Sequence, residues 1–326
     1  MHVTVFTLGG TIAMYERDGT VTRLTGADLT SAIPGLSDVG ASLDVRDVVA
    51  VPSADLTFRG VLDVVSAAQQ AVADGAAGVV MIQGTDTLEE TAFLADLTWP
   101  HEEPFVVTGA MRNPTLAGPD GAANVLAAVR VATAGVARGH GVLVAFADDI
   151  HAARWVRKTH STSITTFQSP DAGPIGHVIE GAVRILATPL DRAPAATLAD
   201  LHDVESTRVG LYSVALDDDG ALLDHVGDAY QGLVVAAFGV GHVPSWIAPA
   251  LGDLAERMPV VLTSRTGSGS VLTNTYRAVG SETDLAQRGL VSGGLLSPAK
   301  ARVLLRTLLA AGRTRDDIAE AFVTYG

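Results

Sequence analysis

Two threonines that follow predicted strands are the residues whose positions first suggest chemistry. Thr11 comes after the β-branched and aromatic residues 2–6 and a glycine pair, which tolerates positive φ angles and close backbone approach. Thr85 comes after residues 78–82, a wholly apolar run that is typical of a strand buried on both faces. Ligands of open parallel sheets bind at the carboxyl ends of the strands, so both hydroxyls are expected at that edge. An ordinary turn between a strand and a loop would explain the glycine pair equally well.

A nucleophilic threonine needs a neighbouring group that accepts its proton, because its hydroxyl is almost wholly protonated at neutral pH. Asp86 follows Thr85 directly, and Lys158 lies in residues 151–163, the densest basic cluster of the chain. A lysine beside a carboxylate and a threonine can act as a base or as an electrostatic activator. A solvated basic face explains the cluster equally well. The spacing along the chain does not decide whether Thr85 and Lys158 meet.

The position of Thr85 directly before a predicted helix adds an electrostatic contribution. The helix is predicted to begin at residue 88, with Thr87 as its cap and Glu90 at the spacing of a capping box. Backbone N–H groups and the helix dipole at this end favour an anion or a developing oxyanion. Ser53 follows another predicted strand and exposes a further hydroxyl to a ligand at such a corner.

Strands and helices alternate over residues 1–194, which predicts a larger N-terminal catalytic α/β domain with a mostly parallel sheet flanked by helices. Its strands are predicted over residues 2–6, 45–51, 78–82, 104–110 and 142–146, and its helices over residues 25–33, 57–74, 88–94 and 122–134. Residues 195–206 contain few bulky apolar side chains and are predicted to link two domains.

A second, smaller α/β domain is predicted over residues 207–326. The predicted strands cover residues 209–214, 233–238 and 260–263, and the predicted helices cover residues 224–230, 247–257 and a last major helix that begins at residue 298. The glycine and serine loop at residues 264–270 superficially resembles a phosphate cradle. It lacks the Gly-Lys-Ser/Thr ending of a P-loop, which argues against nucleotide binding.

Composition argues against several classes of function. The 326 residues, 48% of them hydrophobic, are enough for about two domains. The formal charge of −14 argues against a nucleic-acid partner, because phosphate contacts need clustered Lys and Arg. No apolar run approaches the ~20 residues of a membrane span, and the first predicted strand leaves no room for a signal peptide. The absence of cysteine excludes disulfides and thiolate metal sites and is compatible with a reducing compartment, so we expect a cytoplasmic protein. We also expect no metal, no cofactor and no membrane partner.

Sequence blocks around both threonines resemble those of a known family. Residues 7–13, TLGGTIA, and residues 83–92, QGTDTLEETA, are similar to the two signature blocks of the bacterial-type L-asparaginases, which include glutaminase-asparaginases. Residues 109–112, 158–176 and 295–305 extend the resemblance over nearly the whole chain. The resemblance implies a cofactor-free amidohydrolase that acts on a small amino-acid amide through a threonine acyl-enzyme. It also implies a flavodoxin-like C-terminal domain and a homotetramer or homodimer with sites at the subunit interface.

The resemblance implies a role for each site residue. Thr11 is the expected nucleophile, although the sequence leaves open which threonine attacks first. Thr85, Asp86 and Lys158 match the second catalytic group, and Asp86 is also similar to the acid that pairs with the substrate ammonium. The expected substrate pocket consists of Ser53 for the α-carboxylate, Ala54, Gly84, Ala110 near the oxyanion, and Glu282 from a neighbouring subunit.

The chain departs from the family's pattern at three positions. The family's lid tyrosine falls at or near Gly19, which leaves Tyr15 as the nearby tyrosine expected to cover the site. Ala54 replaces a glutamine that many members have, and a family asparagine is absent around residues 241–243. Each lost polar contact typically costs about 1 to 3 kcal/mol, which predicts weaker substrate binding or an altered specificity.

The preferred substrate stays open on sequence alone. L-Asparagine is expected to be hydrolysed to L-aspartate and ammonia. Glutamine is longer by one methylene, which a pocket discriminates by only about 1 to 3 kcal/mol. A glutaminase-asparaginase of broader specificity is therefore one alternative. A catalytically weak amino-acid sensor or binding protein that uses the same pocket is another, because the pocket lacks the family's side-chain amides.

Overall fold

The chain folds into two units, Met1–Pro194 and Ala195–Gly326. The computed structural model describes residues 1–9, 14–17, 20–23, 25–31, 33–188 and 194–326. Each unit is built on a largely or wholly parallel sheet with helices packed against it. The predicted α/β fold class is therefore confirmed.

Within the described residues, the first unit contains one large sheet and two short hairpins. Its strands are β1 (His2–Thr7), β2 (Met14–Arg17), β3 (Thr20–Arg23), β4 (Ser42–Asp47), β5 (Gly78–Ile82), β6 (Phe105–Thr108), β7 (Val142–Phe146), β8 (Asp149–Ala152), β9 (Arg157–Lys158), β10 (Phe167–Gln168), β11 (Gly176–Ile179) and β12 (Ala182–Ile185). The large sheet has the order β12-β11-β8-β7-β6-β5-β1-β4. Five neighbouring strands of this order run parallel to one another, namely β7, β6, β5, β1 and β4. The remaining pairs, β7 with β8, β8 with β11 and β11 with β12, are antiparallel. β2 pairs with β3, and β9 pairs with β10, outside the large sheet.

The parallel strands end together at one edge of the large sheet. Thr7 at the end of β1 lies opposite Asp47 of β4 and Ile82 of β5, and Ile82 lies opposite Thr108 of β6. The loops that follow these four strands therefore start side by side. This is the edge at which open parallel sheets bind ligands.

The helices of the first unit are α1 (Gly26–Ser31), α2 (Phe58–Ala73), α3 (Leu88–Thr98) and α4 (Gly121–Thr133). α2 begins where the Thr57 hydroxyl accepts a hydrogen bond from the Gly60 N–H at 3.1 Å, which satisfies one free amide at the helix N-terminus. Gly75, with φ of 102°, then turns the chain away from the helix toward β5.

The core of the first unit fixes the strands that lead to this edge. Val5, Val80 and Val106 on three neighbouring strands are fully buried in one apolar cluster that includes residues of α4. α4 approaches β5 so closely that a Cβ atom on Gly78 would lie 2.1 Å from the Ala132 carbonyl oxygen. Side chains buried in this way each stabilise the fold by about 1.5 to 3 kcal/mol, so the strand ends are held firmly.

β4 begins and ends earlier than the sequence predicts. The prediction covered residues 45–51, whereas the strand spans Ser42–Asp47. β4 is the edge strand beside β1, and Asp47 lies opposite Thr7, the last residue of β1. The ladder therefore stops there, and residues 48–51 continue toward Ser53 as a loop.

The second unit, which is described without a gap, has a four-stranded parallel sheet. Its strands, in sheet order, are β13 (Val209–Ser213), β14 (Gly232–Ala237), β15 (Val260–Ser264) and β16 (Val291–Ser292), and its helices are α5 (Val226–Ala229), α6 (Ala248–Arg257), α7 (Glu282–Gln287), α8 (Pro298–Ala310) and α9 (Arg315–Tyr325). The helix predicted over residues 224–230 is a 3-10 turn, Ala221–His225, followed by the single turn of α5. The sequence did not predict β16, α7 or α9.

Residues 195–206 belong to the second unit. They contain a 3-10 turn, Leu198–Asp200, and three buried apolar side chains, Ala196, Leu201 and Val204. Arg306 of α8 donates a hydrogen bond to the Val204 carbonyl oxygen at 2.7 Å. The assignment of this segment as an interdomain linker stays a prediction.

Candidate active site

Thr85 and Asp86 meet Lys158 at the carboxyl end of β5. The Lys158 ammonium group donates to the Thr85 hydroxyl oxygen at 2.9 Å and to Asp86 Oδ1 at 2.8 Å. The Lys158 side chain is 18% exposed, whereas that of Asp86 is 67% exposed. The charge on Lys158 is therefore only partly screened by water, and it is in hydrogen-bond contact with the Thr85 hydroxyl oxygen. The structure thus brings together three of the residues that the sequence singled out.

The basic residues around Lys158 contact different partners. Lys158 lies on the hairpin formed by β9 and β10, opposite Phe167. Its backbone N–H donates to Glu89 Oε2 in the first turn of α3 at 2.5 Å. Arg154 instead stacks its guanidinium over the Trp155 ring, 4.5 Å from the centroid. The side chain of Lys158 instead contacts Thr85 and Asp86.

Ser53 and Gly84 join the loop after β4 to the loop after β5. Ser53 is buried in a 3-10 turn, Ser53–Asp55, and its hydroxyl oxygen accepts the Asp86 N–H at 3.1 Å. A Cβ atom on Gly84 would lie 2.8 Å from that same oxygen, so a larger residue would push the loops apart. The Ser53 hydroxyl still has its own O–H to donate, which suits it to bind a carboxylate. Ala54, the next residue, is exposed.

Thr87 does not cap α3 with its side chain, contrary to the capping-box prediction. Its hydroxyl donates instead to the Ser53 carbonyl oxygen at 2.9 Å. The spacing of Thr87 and Glu90 fits a capping box, but the adjacent Ser53 turn competes for the hydroxyl. This contact gives a second link between the two loops of the site.

Ala110 lies in the loop after β6, which is held by a buried amide and a carboxylate. Ala110 is 3% exposed. Asn124 of α4 donates to the Gly109 carbonyl oxygen at 3.0 Å, and the Asp120 carboxylate accepts the Met111 N–H at 3.0 Å. These contacts flank Ala110 on both sides and fix its backbone. Such a preorganised backbone is what stabilisation of a developing oxyanion requires.

The backbone of Gly109 passes very close to the loop after β5. A Cβ atom on this residue would lie 2.4 Å from the Gln83 carbonyl oxygen and 3.5 Å from Thr85 Cγ2. The missing side chain therefore allows the Ala110 loop to lie directly against the Thr85 loop. The Gly-Ala pair that ends the predicted strand gave no sign of this contact.

Thr11, the expected nucleophile, lies outside the described residues. The described chain leads toward it as far as Gly9, which has φ of 89° and would place a Cβ atom 2.9 Å from Val51 N. The Leu8 N–H donates to the Ile82 carbonyl oxygen at 2.9 Å, so this segment runs beside the end of β5. The backbone of Tyr15 lies in β2. The proposed roles of Thr11 and Tyr15 stay predictions.

Glu282 lies in the second unit, in the first turn of α7, and is 1% exposed. Its Oε1 accepts the backbone N–H groups of Thr275 at 2.9 Å and Tyr276 at 2.7 Å, and its Oε2 lies 3.2 Å from His242 Nε2. Burial raises the pKa of the Glu282 carboxyl. Hydrogen bonds from the backbone and from His242 outweigh burial and hold the pKa below its ordinary value. Its contribution to a neighbouring subunit's site stays a prediction.

Two further findings concern bound groups and membranes. Among the described residues, no three His, Asp or Glu side chains are grouped so that they could hold a metal ion. In the same part of the chain, no helix is long and apolar enough to cross a bilayer.

Models of protein families match both units of the chain. The model for the asparaginase N-terminal domain matches residues 2–191, and the model for the glutaminase/asparaginase C-terminal domain matches residues 208–322. Together the two matches cover most of the chain.

Individual relatives match over nearly the full length. L-asparaginase 2 of Escherichia coli (strain K12) is 32% identical over an alignment that covers 99% of this chain and 93% of that protein. A probable periplasmic L-asparaginase of Haemophilus influenzae is 33% identical, with 97% and 90% covered. The crystal structure of a probable cytoplasmic L-asparaginase from Campylobacter jejuni has a TM-score of 0.88 and 29% identity, with 99% of both chains covered. From the two matching domain models and this full-length similarity, the chain belongs to the asparaginase family.

Proposed function

We propose that the protein is an asparaginase, an amidohydrolase that converts L-asparagine to L-aspartate and ammonia. The observation that carries this proposal is the position of Lys158 Nζ, 2.9 Å from the Thr85 hydroxyl and 2.8 Å from the Asp86 carboxylate. An ammonium held between a hydroxyl and a carboxylate stabilises the negative charge that forms on the hydroxyl oxygen as its proton leaves, which lowers the cost of activating a threonine. The three relatives described above carry the name L-asparaginase or probable L-asparaginase, which supports the same substrate class.

The proposed reaction has two halves joined by a threonine ester. The threonine oxygen attacks the side-chain amide carbon of asparagine, and its proton passes to the amide nitrogen. The C–N bond breaks, ammonia leaves, and a β-aspartyl ester remains. Water then adds to the ester carbon, the C–O bond breaks, and the threonine recovers its proton.

The threonines have different roles in this proposal. Thr11 is the proposed nucleophile, and Thr85 with Lys158 forms the group that moves protons. Attack by Thr85 is the alternative. Rapid quenching during turnover, followed by mass spectrometry of peptides, identifies which threonine carries the added aspartyl group. An ester on Thr85 would reverse the assignment.

Charged and backbone groups around Lys158 are proposed to hold the substrate. Because the Asp86 side chain is 67% exposed, one oxygen stays available for the α-ammonium while Oδ1 accepts from Lys158. Ser53 is proposed to bind the α-carboxylate, and the backbone at Ala110 is proposed to face the developing oxyanion. Gly84 is proposed to contribute to the substrate pocket by letting Ser53 lie directly against the loop after β5.

An ammonia-release assay tests the proposal directly. The purified protein is incubated with L-asparagine, L-glutamine and D-asparagine, and Thr11→Ala serves as the inactive control. We expect ammonia from L-asparagine well above the control. Comparable release from glutamine would indicate broader specificity, which the exposed Ala54 favours because it supplies no pocket amide. Calorimetric binding of aspartate without ammonia from any amide would instead indicate a sensor or binding protein.

Assembly and location belong to the same proposal. We propose a homotetramer or homodimer, with Glu282 reaching the site of a neighbouring subunit, and a cytoplasmic location like that in the name of the Campylobacter jejuni protein. Analytical ultracentrifugation tests the assembly, and cell fractionation tests the location. A monomer with full activity would contradict the shared site.

A further inference from the structure

The strand that carries Lys158 has no backbone ladder with the eight-stranded sheet in the described part of the chain. β9 is two residues long, Arg157–Lys158, and pairs with the equally short β10, whose Phe167 ring lies 4.7 Å from that of Phe146 in β7. Lysine places its ammonium at the end of a flexible four-carbon side chain, so the position of Nζ depends on where the backbone is held. A further contact to the β9 backbone is therefore needed if Nζ is to keep its hydrogen bond to the Thr85 hydroxyl.

Glu89 supplies a contact of that kind. Its Oε2 accepts the Lys158 backbone N–H at 2.5 Å. Glu89 lies in the first turn of α3, three residues after Asp86. The helix dipole favours a carboxylate at this end of a helix, so the acceptor is stabilised where it stands.

One short segment therefore holds Lys158 at both of its ends. Asp86 and Thr85 accept from the side-chain Nζ, and Glu89 accepts from the main-chain N–H. All three acceptors lie between the end of β5 and the first turn of α3, so their relative positions are fixed by one backbone. Any shift of β9 away from α3 would move Nζ away from the hydroxyl.

We infer that Glu89 is a positioning residue for the proposed amide hydrolysis, because it fixes the backbone of Lys158 and thereby the contact between Nζ and Thr85. The inference rests on the proposed function. Glu89 is not assigned to touch the substrate or the reacting atoms. Its removal should therefore lower kcat and leave KM nearly unchanged.

Three variants of Glu89 test this inference with L-asparagine as the probe. Glu89→Ala removes the acceptor, and we expect kcat to fall about 10- to 100-fold with KM changed less than about threefold, because small displacements of a catalytic group have effects of this size. Glu89→Gln keeps an oxygen acceptor on a side chain of equal length, and kcat should stay within about threefold of the wild type. Glu89→Asp is shorter by one methylene and should fall between them.

Asp317→Ala is the matched control. Asp317 lies in the first turn of α9 and accepts the Thr314 backbone N–H at 2.9 Å, so it is a comparable carboxylate in the second unit. Its loss should lower the thermal midpoint and leave kcat unchanged. A similar midpoint for the Glu89 variants and this control would show that lost turnover does not come from unfolding.

The outcomes separate the inference from the proposed function. If the wild type releases no ammonia from any amide, the proposed function fails. If the wild type is active and Glu89→Ala keeps its kcat, Glu89 has no positioning role. Equal losses in the Gln and Ala variants would also overturn the inference, since the hydrogen-bond acceptor would then not be what matters. If Glu89→Ala does not fold, the Gln and Asp variants decide the question.

Discussion

The loops after β5 and after β15 occupy equivalent places in the two parallel sheets but differ in what their hydroxyls contact. In the first unit the Thr85 hydroxyl receives a hydrogen bond from Lys158, which comes from a separate hairpin. In the second unit the Ser264 and Thr266 hydroxyls lie 2.8 Å apart, and Thr266 also donates to the Ser268 carbonyl oxygen. The hydroxyls of the second loop therefore bond to nearby uncharged groups, which include the Gly239 carbonyl oxygen that accepts from Ser264.

The cation of the second loop, Arg265, also makes its contacts outside that loop. Arg265 donates to the Val214 carbonyl oxygen at 2.8 Å and lies over the Phe238 ring, 4.4 Å from the centroid. Both loops are rich in glycine and hydroxyl groups and lie at an edge suited to ligands. Such a loop becomes a candidate for chemistry when another element brings a charge to its hydroxyl. Composition and topology alone do not distinguish the two.

The largest expected effect comes from removing that charge. Lys158→Met should lower kcat for L-asparagine by about 10²- to 10⁴-fold, because proton transfer and charge stabilisation at the hydroxyl are both lost. Arg265→Met removes the cation beside the second loop and should leave kcat within about twofold, with a loss of about 1 kcal/mol in the free energy of unfolding. Steady-state ammonia release and chemical denaturation measure the two quantities. Equal losses of kcat in both variants would show that the charge of Lys158 has no special role in turnover.

The hydroxyls themselves should show the next largest contrast. Thr85→Val keeps the shape of the side chain and removes the oxygen, and kcat should fall about 10²- to 10³-fold. Thr266→Val makes the same change in the second loop, where the expected cost is about 1 kcal/mol of folding stability with normal turnover. Near-normal turnover of Thr85→Val would remove this threonine from the mechanism.

A smaller effect is expected from crowding the first loop. Gly84→Ala places a Cβ atom 2.8 Å from Ser53 Oγ, and kcat/KM should fall about 10-fold as the loops separate. Gly269→Ala meets no atom within 4 Å but has φ of 85°, so it should cost about 1 kcal/mol of stability without changing kcat/KM. An unchanged kcat/KM for Gly84→Ala would show that the close approach of the two loops is dispensable.

The last and smallest contrast concerns the buried, hydrogen-bonded carboxylate of Glu282 in the second unit, and it is measured as stability. The lowered pKa of Glu282 means that its carboxylate stabilises the fold above the ordinary pKa of 4.5, and that this stabilisation is lost as the pH falls through the lower, folded-state value. The thermal midpoint of the wild type should therefore fall more steeply below about pH 4.5 than that of Glu282→Gln. Parallel midpoint curves for the two proteins would contradict the contribution of this carboxylate.

Strands that are buried on both faces could be predicted from sequence almost residue by residue. β5 and β7 match the predicted residues 78–82 and 142–146, because apolar runs of this length leave little choice of structure. β8, β11 and β12 were missed. They are short strands of mixed polarity at one side of the sheet, and their pairing depends on partners far along the chain.

The site could be predicted as a set of residues but not as a set of contacts. The threonine block and Lys158 were identified from their types and positions, while their contact joins residues 73 apart in sequence. Glu89 was overlooked, although an acid in the first turn after the block was a visible signal. The Thr87 prediction failed because a tertiary neighbour, Ser53, took the hydroxyl that local spacing assigned to the helix.

The hairpin that carries Lys158 is held to the sheet by side chains. In the described residues β9 and β10 share no ladder with the eight-stranded sheet, and the ring of Phe167 lies 4.7 Å from that of Phe146 in β7. Local opening of a segment with few backbone hydrogen bonds costs less free energy than global unfolding and appears as faster hydrogen exchange. The amide proton of Lys158, which points at Glu89, is therefore a direct reporter of whether the site is assembled. Its exchange rate would follow the integrity of the site while the amides of β5 report on the fold.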